Sequence, residues 1–156
     1  MSDDLAGLAA ELFAQCPESE HRVLLAVLER TAAEQYRRWA GRVADEHRAT
    51  MLGCARREED VAAVLEGMAT DAAEMARALG ARFPDLGTRY ESLLAGRSLS
   101  EQLRIQAAGE WAGAALLRAY AGAETDPAAR EALLAAAELE EENARVCDSV
   151  SQEPPS

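Results

Sequence analysis

Residues 25–43 read LAVLERTAAEQYRRWAGRV, and this stretch decides the fold. Its apolar side chains recur every three or four residues, the spacing that places side chains on one face of an α-helix. That face also contains an acid, and it consists of Leu25, Glu29, Ala32, Tyr36, Trp39 and Val43. A helix with such a face must pack against other helices, so the stretch predicts one member of a helical bundle.

Three further stretches show the same spacing, and each again contains one glutamate on its apolar face. The three faces are Met51, Cys54, Glu58, Val61, Leu65 and Met68, then Leu103, Gln106, Glu110, Gly113, Leu117 and Tyr120, then Leu133, Ala136, Glu140, Asn143, Cys147 and Val150. We therefore predict an all-α four-helix bundle with one glutamate from each helix in its core. In the first helix, Leu24, Leu28 and Thr31 offer a competing face that would leave Glu29 near the rim.

Breaker and capping residues set the expected order of helices along the chain. Ser98 and Glu101 fit a capping box, and Thr125-Asp126-Pro127 is typical of a helix start. The predicted helices are residues 5–15, 17–43, 47–66 with an extension to 82 left open, 88–95, 99–122 and 127–150. Residues 1–150 are thus predicted to form a single domain of two helical hairpins, joined by a long crossover. Residues 151–156 contain two prolines and no apolar anchor, so we expect a disordered tail.

Composition and charge narrow the class of protein. Alanine, leucine, glutamate and arginine dominate, which favours helices over sheets. The 28 acidic and 16 basic residues give a net charge of -12, which disfavours nucleic acid and membrane surfaces as partners. Cys16, Cys54 and Cys147 are odd in number and lack CxxC spacing, so we expect no disulfide framework. With no secretory leader or membrane-spanning apolar run evident, a cytoplasmic location is expected.

Four converging carboxylates need neutralisation. A buried carboxylate without a partner costs several kcal/mol, whereas a whole domain is stable by only about 5 to 15 kcal/mol. Divalent cations could bridge the carboxylates, or retained protons and arginine partners could neutralise them. The sequence leaves both routes open. Arg56-Arg57 precedes Glu58 and is interpreted as a surface pattern, although an arginine folded back onto the cluster would favour the metal-free case.

The chain also repeats itself. The first helix of the first predicted hairpin contains Glu29, Tyr36, Trp39 and Ala40. The first helix of the second hairpin contains Glu110, Leu117, Tyr120 and Ala121 at the same spacing. The second helix of the first hairpin contains Ala55, Glu58, Val61 and Ala62. The second helix of the second hairpin contains Ala137, Glu140, Asn143 and Ala144 at the same spacing. Two stacked hairpins of this kind predict an approximately two-fold bundle.

These residues resemble the ferritin-like superfamily, most closely its rubrerythrin-like branch. The resemblance covers roughly residues 17–150. It implies that Glu29, Glu58, Glu110 and Glu140 bind a dinuclear centre of iron or manganese, with a ferroxidase, other oxidoreductase or metal-handling role. The family has a histidine three residues after the second glutamate of each half. Here Val61 and Asn143 stand at those positions, and neither His21 nor His47 is placed at the metal.

Without imidazole, the predicted ligands are the four carboxylates and the amide oxygen of Asn143. Such oxygen ligands suit magnesium, calcium or manganese. The cofactor that the resemblance implies is two iron or manganese ions. The alternative is a degenerate module that binds no metal and acts by binding a protein or a small molecule. Gly109 and Gly113 would leave space for such a molecule. Helical bundles often pair through one face, so we expect a homodimer. No residue identifies the substrate, and no catalytic residue is assigned.

Cys54 and Cys147 lie one turn from the predicted ligands. A thiolate near a metal is one interpretation, and a small buried hydrophobe is the other. The second is preferred because no cationic residue stands on the same helix face to lower the pKa of either thiol.

Overall fold

In a computed structural model, which describes residues 4–153, the chain is built from helices, and no strand occurs in that range. The elements are α1 (Leu5–Phe13), a 3₁₀ turn (Glu18–Glu20), α2 (His21–Ala40), α3 (Asp45–Gly67), α4 (Ala72–Arg82), α5 (Leu86–Leu94), α6 (Leu99–Ala123) and α7 (Pro127–Ser151). The prediction of an all-α protein is confirmed. None of these helices within residues 4–153 is both long and apolar enough to cross a membrane.

Side-chain caps explain where several helices begin. The Ser98 hydroxyl accepts from the Glu101 amide at 3.3 Å, and the Glu101 carboxylate accepts from the Ser98 amide at 2.8 Å. This reciprocal pair is the predicted capping box at the start of α6. Asp126 caps α7 through the Ala129 amide at 3.1 Å, and Pro127 takes the first helical position.

Several boundaries differ from the predicted ones. The first long helix, α2, runs from His21 to Ala40 rather than over residues 17–43. Of the two ends left open for the second long helix, the structure has the shorter, because α3 ends at Gly67 and α4 is a separate helix. Glycine has low helical propensity, which suits the end of α3. At the other end of the chain, α7 extends to Ser151, one residue into the predicted tail. The Ser100 hydroxyl donates to the Ser151 carbonyl at 2.6 Å, which ties this end to α6. Residues 154–156 of the predicted tail lie outside the described part.

The long helices pack as two hairpins. Helix α2 packs along α3, α6 packs along α7, and the hairpins meet mainly through α3 and α7. Helix α1 contacts both α2 and α6. Two apolar clusters form the core, one around Tyr36 and Trp39 and the other around Leu65 and Leu117. In α3, α6 and α7 the glutamate of the helix face lies between residues of one cluster and residues of the other.

Candidate metal centre

The four predicted glutamates are all buried. Glu29 is 7% exposed, Glu58 0%, Glu110 2% and Glu140 1%. Carboxylate oxygens of Glu29, Glu58 and Glu140 lie within 4.8 Å of one another. Glu110 belongs with this group because its negative charge raises the pKa values of Glu29, Glu58 and Glu140, and because it lines the same cavity as Glu29 and Glu140. The structure therefore brings together the four acids, each from a different long helix, and we call this group the carboxylate cluster.

The face of α2 that contains Glu29 is the one that enters the core. Its neighbours on that face, among them Ala32 and Tyr36, are buried. On the competing face, Leu24 is also buried, but Leu28 and Thr31 are only half-buried. Glu29 is thus a core residue rather than a rim residue.

Glu110 is held by two side-chain donors. The Tyr36 hydroxyl donates to Glu110 Oε1 at 2.6 Å, and the Gln106 amide donates to the same oxygen at 2.7 Å. Gln106 is in turn fixed by Tyr90 of α5, whose hydroxyl donates to Gln106 Oε1. Sequence reasoning missed Tyr90 because a single aromatic residue in a short crossover helix has no periodic pattern around it. The other oxygen of Glu110 has no hydrogen-bond partner.

Glu58 is held by Asn143. The amide nitrogen of Asn143 donates to Glu58 Oε1 at 2.5 Å and to the Cys54 carbonyl at 3.3 Å. Its amide oxygen accepts from Arg57 Nε at 2.6 Å. Because a guanidinium can only donate, this arrangement directs the amide oxygen to Arg57 and the amide nitrogen to Glu58. The predicted ligand oxygen of Asn143 therefore points away from the carboxylate cluster.

Arg57 folds back toward the core without pairing directly with the cluster. Its guanidinium contacts Asn143 and the Cys54 thiol, the latter at 3.4 Å, and no ion pair with a glutamate of the cluster occurs within residues 4–153. A cation thus stands beside Cys54, contrary to the expectation from the helix face. Burial nonetheless raises the pKa of Cys54 to about 11. It raises the pKa of Cys147 as well, so both thiols stay protonated near neutral pH.

No histidine lies at the carboxylate cluster. Val61 and Asn143 are fully buried at the positions where the ferritin-like pattern has histidine. His21 contacts the carbonyls of Phe13 and Cys16, each at 3.1 Å. His47 lies at the surface, where its Nε2 is 2.6 Å from Glu153 Oε2. The centre therefore offers carboxylate ligands alone.

Burial sets the protonation of the carboxylate cluster. It raises the pKa of Glu29 to about 8, and the neighbouring Glu110 adds to that rise. Burial raises the pKa values of Glu58 and Glu140 as well, and the other carboxylates of the cluster raise them further. One oxygen each of Glu58, Glu110 and Glu140 is buried without a hydrogen-bond partner. These orphaned oxygens need cations or protons.

A glycine makes room for one of the carboxylates. A Cβ at Gly113 of α6 would lie 2.7 Å from Glu140 Oε2, a distance that ordinary Cβ atoms do not allow. In the first hairpin, Ala32 occupies the repeat-related position. Gly109 and Gly113 were expected to leave space for a small molecule, and both line the cavity described next, although the carboxylate of Glu140 takes part of the space beside Gly113.

An apolar cavity of about 230 Å³ opens onto the carboxylate cluster. It lies between α1, α2 and α6, and Glu29, Glu110 and Glu140 contribute to its wall. The remaining lining is mostly aliphatic, with Tyr90 and Gln106 as further polar side chains.

No protein-family model, curated protein or solved structure matches this chain. The resemblance to ferritin-like proteins therefore stays a prediction.

Proposed function

We propose that this chain is a ferritin-like protein that binds two divalent cations, iron or manganese, in its carboxylate cluster and has an oxidoreductase or metal-handling role. The observation that carries the proposal is the set of orphaned oxygens on Glu58, Glu110 and Glu140. They are buried, belong to neighbouring acids and face no ammonium or guanidinium group within residues 4–153. Divalent cations bridged by carboxylates are the partners that such oxygens suit.

The donor set fits such ions. Four carboxylates carry four negative charges, which two divalent cations would neutralise. Oxygen ligands suit manganese, and ferrous iron also accepts carboxylates. Iron or manganese bound there would supply redox chemistry that the side chains lack. Asn143 is better described as the residue that orients Glu58 than as a ligand, because its amide nitrogen faces the cluster.

The residues around the ligands have separate tasks. Tyr36 and Gln106 hold one oxygen of Glu110 and leave the other free. Such outer hydrogen bonds orient ligands and tune affinity. The Tyr36 hydroxyl also lies 3.2 Å from the Cys147 thiol. The thiol can therefore donate to this hydroxyl while the hydroxyl donates its own proton to Glu110. Val61, three residues after Glu58 on the same helix face, is fully buried and offers no polar atom to a metal.

Metal content tests the proposal. Chelator-treated protein would be loaded anaerobically with manganous or ferrous ions, desalted and subjected to elemental analysis. We expect about two ions per chain, in keeping with a dinuclear carboxylate centre. Glu140→Gln is expected to lower this content, whereas Glu138→Gln, an exposed acid of the same helix, should leave it unchanged. Less than one ion per chain in the unsubstituted protein would contradict the proposal.

A metal-free helical module is the second candidate, and the raised pKa values favour it. Burial and the neighbouring carboxylates raise the pKa values of Glu29, Glu58 and Glu140, so these acids can hold protons when no cation is present. Glu58→Gln separates the two candidates because the amide keeps the volume and is neutral without a bound proton. The metal-free module should gain stability from this change and show no change in melting temperature with manganese. A metal protein should lose the stabilisation that manganese confers.

A further inference from the structure

The cavity beside the carboxylate cluster lies where α1 covers the other helices. Helix α1 contacts both α2 and α6, and all three line the cavity. Leu8 and Leu12 of α1 are buried and anchor it in the core. The space is thus bounded by packed helices on several sides, as small-molecule sites in helical proteins commonly are.

Small residues leave the cavity open. Ala6, Ala9 and Ala10 of α1 and Ala112 of α6 all line it, and none of them fills it. The close approach of α1 to α6 depends on Gly109, since a Cβ there would lie 2.9 Å from Leu5 Cδ1. An ion pair of 2.7 Å between Arg89 of α5 and Glu11 also holds α1 in place.

The cavity has apolar walls and one polar end. Its walls are formed by aliphatic and aromatic side chains that include Leu5, Leu8, Phe13, Leu25, Leu28 and Leu116. At the polar end, Glu110 and Glu140 each have one buried oxygen without a partner. Carboxylate oxygens accept hydrogen bonds, so they favour a ligand whose end donates one.

The volume limits the size of the ligand. A dry apolar cavity of about 150 Å³ holds benzene, so by proportion 230 Å³ holds roughly nine non-hydrogen atoms. An unbranched chain with one hydroxyl group fits both the size and the polarity.

We propose that this cavity binds a medium-chain alcohol, with its hydroxyl group at Glu110 and Glu140 and its carbon chain along α1. That this alcohol is also the substrate class of the metal centre rests on the proposed function, whereas its binding does not.

Binding of 1-octanol to the full chain tests the proposal. Titration calorimetry would use metal-free protein and manganese-loaded protein, with heptyl methyl ether as a matched ligand that has the same number of non-hydrogen atoms and no donor. We expect saturable binding of 1-octanol and, in the metal-free protein, at least about tenfold weaker binding of the ether, because the ether has no proton to donate to the free oxygens of Glu110 and Glu140. Equal affinity for the two ligands, or no saturable binding, would overturn the proposal.

Matched variants locate the bound alcohol. Ala112→Phe fills the cavity, whereas Ala115→Phe places the same side chain on the exposed surface of α6. We expect loss of 1-octanol binding only in Ala112→Phe, with helix content and melting checked by circular dichroism. If that variant does not fold, Ala9→Leu fills the cavity from α1. Unchanged binding in the folded cavity variant, or equal loss in Ala115→Phe, would refute this site.

Nuclear magnetic resonance separates this proposal from the proposed function. With manganese bound, the protons of the hydroxyl-bearing carbon of 1-octanol should relax faster than those of its terminal methyl group, and magnesium should produce no such difference. Manganese uptake without alcohol binding would overturn the alcohol site alone. Alcohol binding by a protein that takes up no metal would support the site and overturn the metal centre. Faster relaxation of the methyl end would contradict the proposed orientation.

Discussion

The hairpin α2–α3 and the hairpin α6–α7 place glutamates at repeat-related positions, but they differ in the residues that hold those glutamates. Tyr36 of the first hairpin donates to Glu110 of the second. The repeat-related residue Leu117 is apolar and buried, and it has no hydroxyl to offer in return. The two-fold pattern of the acids is therefore not matched by a two-fold pattern of donors.

The same one-sided arrangement recurs at the second pair of positions. Asn143 of the second hairpin donates to Glu58 of the first, whereas the repeat-related Val61 has no polar group. Each hairpin thus contains one glutamate held by a neutral donor, Glu58 or Glu110. The other two, Glu29 and Glu140, have neighbouring carboxylates whose negative charges raise their pKa values, and both line the cavity. This difference indicates that neutral hydrogen-bond donors position Glu58 and Glu110, whereas Glu29 and Glu140 depend on neutralisation by protons or cations.

A rise in pH should have the largest effect, because it removes the protons that neutralise these buried acids in the metal-free protein. Burial raises the pKa of Glu29 from 4.5 to about 8, so its bound proton stabilises the metal-free fold fully below about 4.5, and that contribution is lost as the pH rises through about 8. For Glu29 alone we expect a loss of about 3 kcal/mol, or about 10 °C in Tm, between about pH 5.5 and pH 9.

Thermal melts with a chelator, followed by circular dichroism, measure this loss. The paired acids Glu66 and Glu141 do not interfere, because their lowered pKa values affect stability only below about pH 4.5. Glu29→Gln should reduce the dependence without abolishing it, because Glu58 and Glu140 keep raised pKa values, while the exposed Glu34→Gln on the same helix should preserve it. A Tm that is constant or rises over this range would contradict the dependence on neutralisation.

Asn143→Val makes the second hairpin like the first at this position. It removes the donor to Glu58 and the acceptor for Arg57, so Glu58 is no longer oriented. We expect manganese affinity to fall by about 10- to 100-fold, as for other residues that orient ligands. Competition with a fluorescent chelator measures the affinity. Ser149→Val, an exposed change on the same helix, serves as the control. An unchanged manganese affinity would contradict the view that neutral donors such as Asn143 distinguish Glu58 and Glu110 from Glu29 and Glu140.

Gly113→Ala should have the smallest of these effects and acts on the Glu140 side. The added methyl group would crowd Glu140 Oε2, and overpacking of this kind costs about 1 to 3 kcal/mol. A gain of up to about 1 kcal/mol in helix propensity offsets part of that cost. Gly122→Ala, also in α6 but with nothing within 4 Å, should show only the gain. Urea unfolding of both variants gives the comparison, and equal stabilisation of the two would refute the crowding.

The sequence predicted much of the fold because helix signals are local. The capping box of Ser98 and Glu101 and the Asp126-Pro127 start were recognisable from spacing alone. The end of α3 at Gly67 was predicted only as one of two alternatives, near residue 66 or at residue 82, since the helical pattern continues beyond it. Other contacts of the site could not be predicted because they join residues far apart in the chain. Tyr90 reaches Gln106 from a crossover helix, and Arg57 reaches Asn143 from another hairpin.

By itself the sequence determined that the chain is all-α and that one acid lies on the apolar face of each long helix, because a helix face follows from a period of 3.6 residues. Only the tertiary structure decided which carboxylates are held and which are not. It also decided that the amide nitrogen of Asn143 turns toward Glu58, and that α1 leaves a cavity beside the carboxylate cluster. These features depend on distances between helices, and such distances follow from side-chain packing rather than from the period of any one helix.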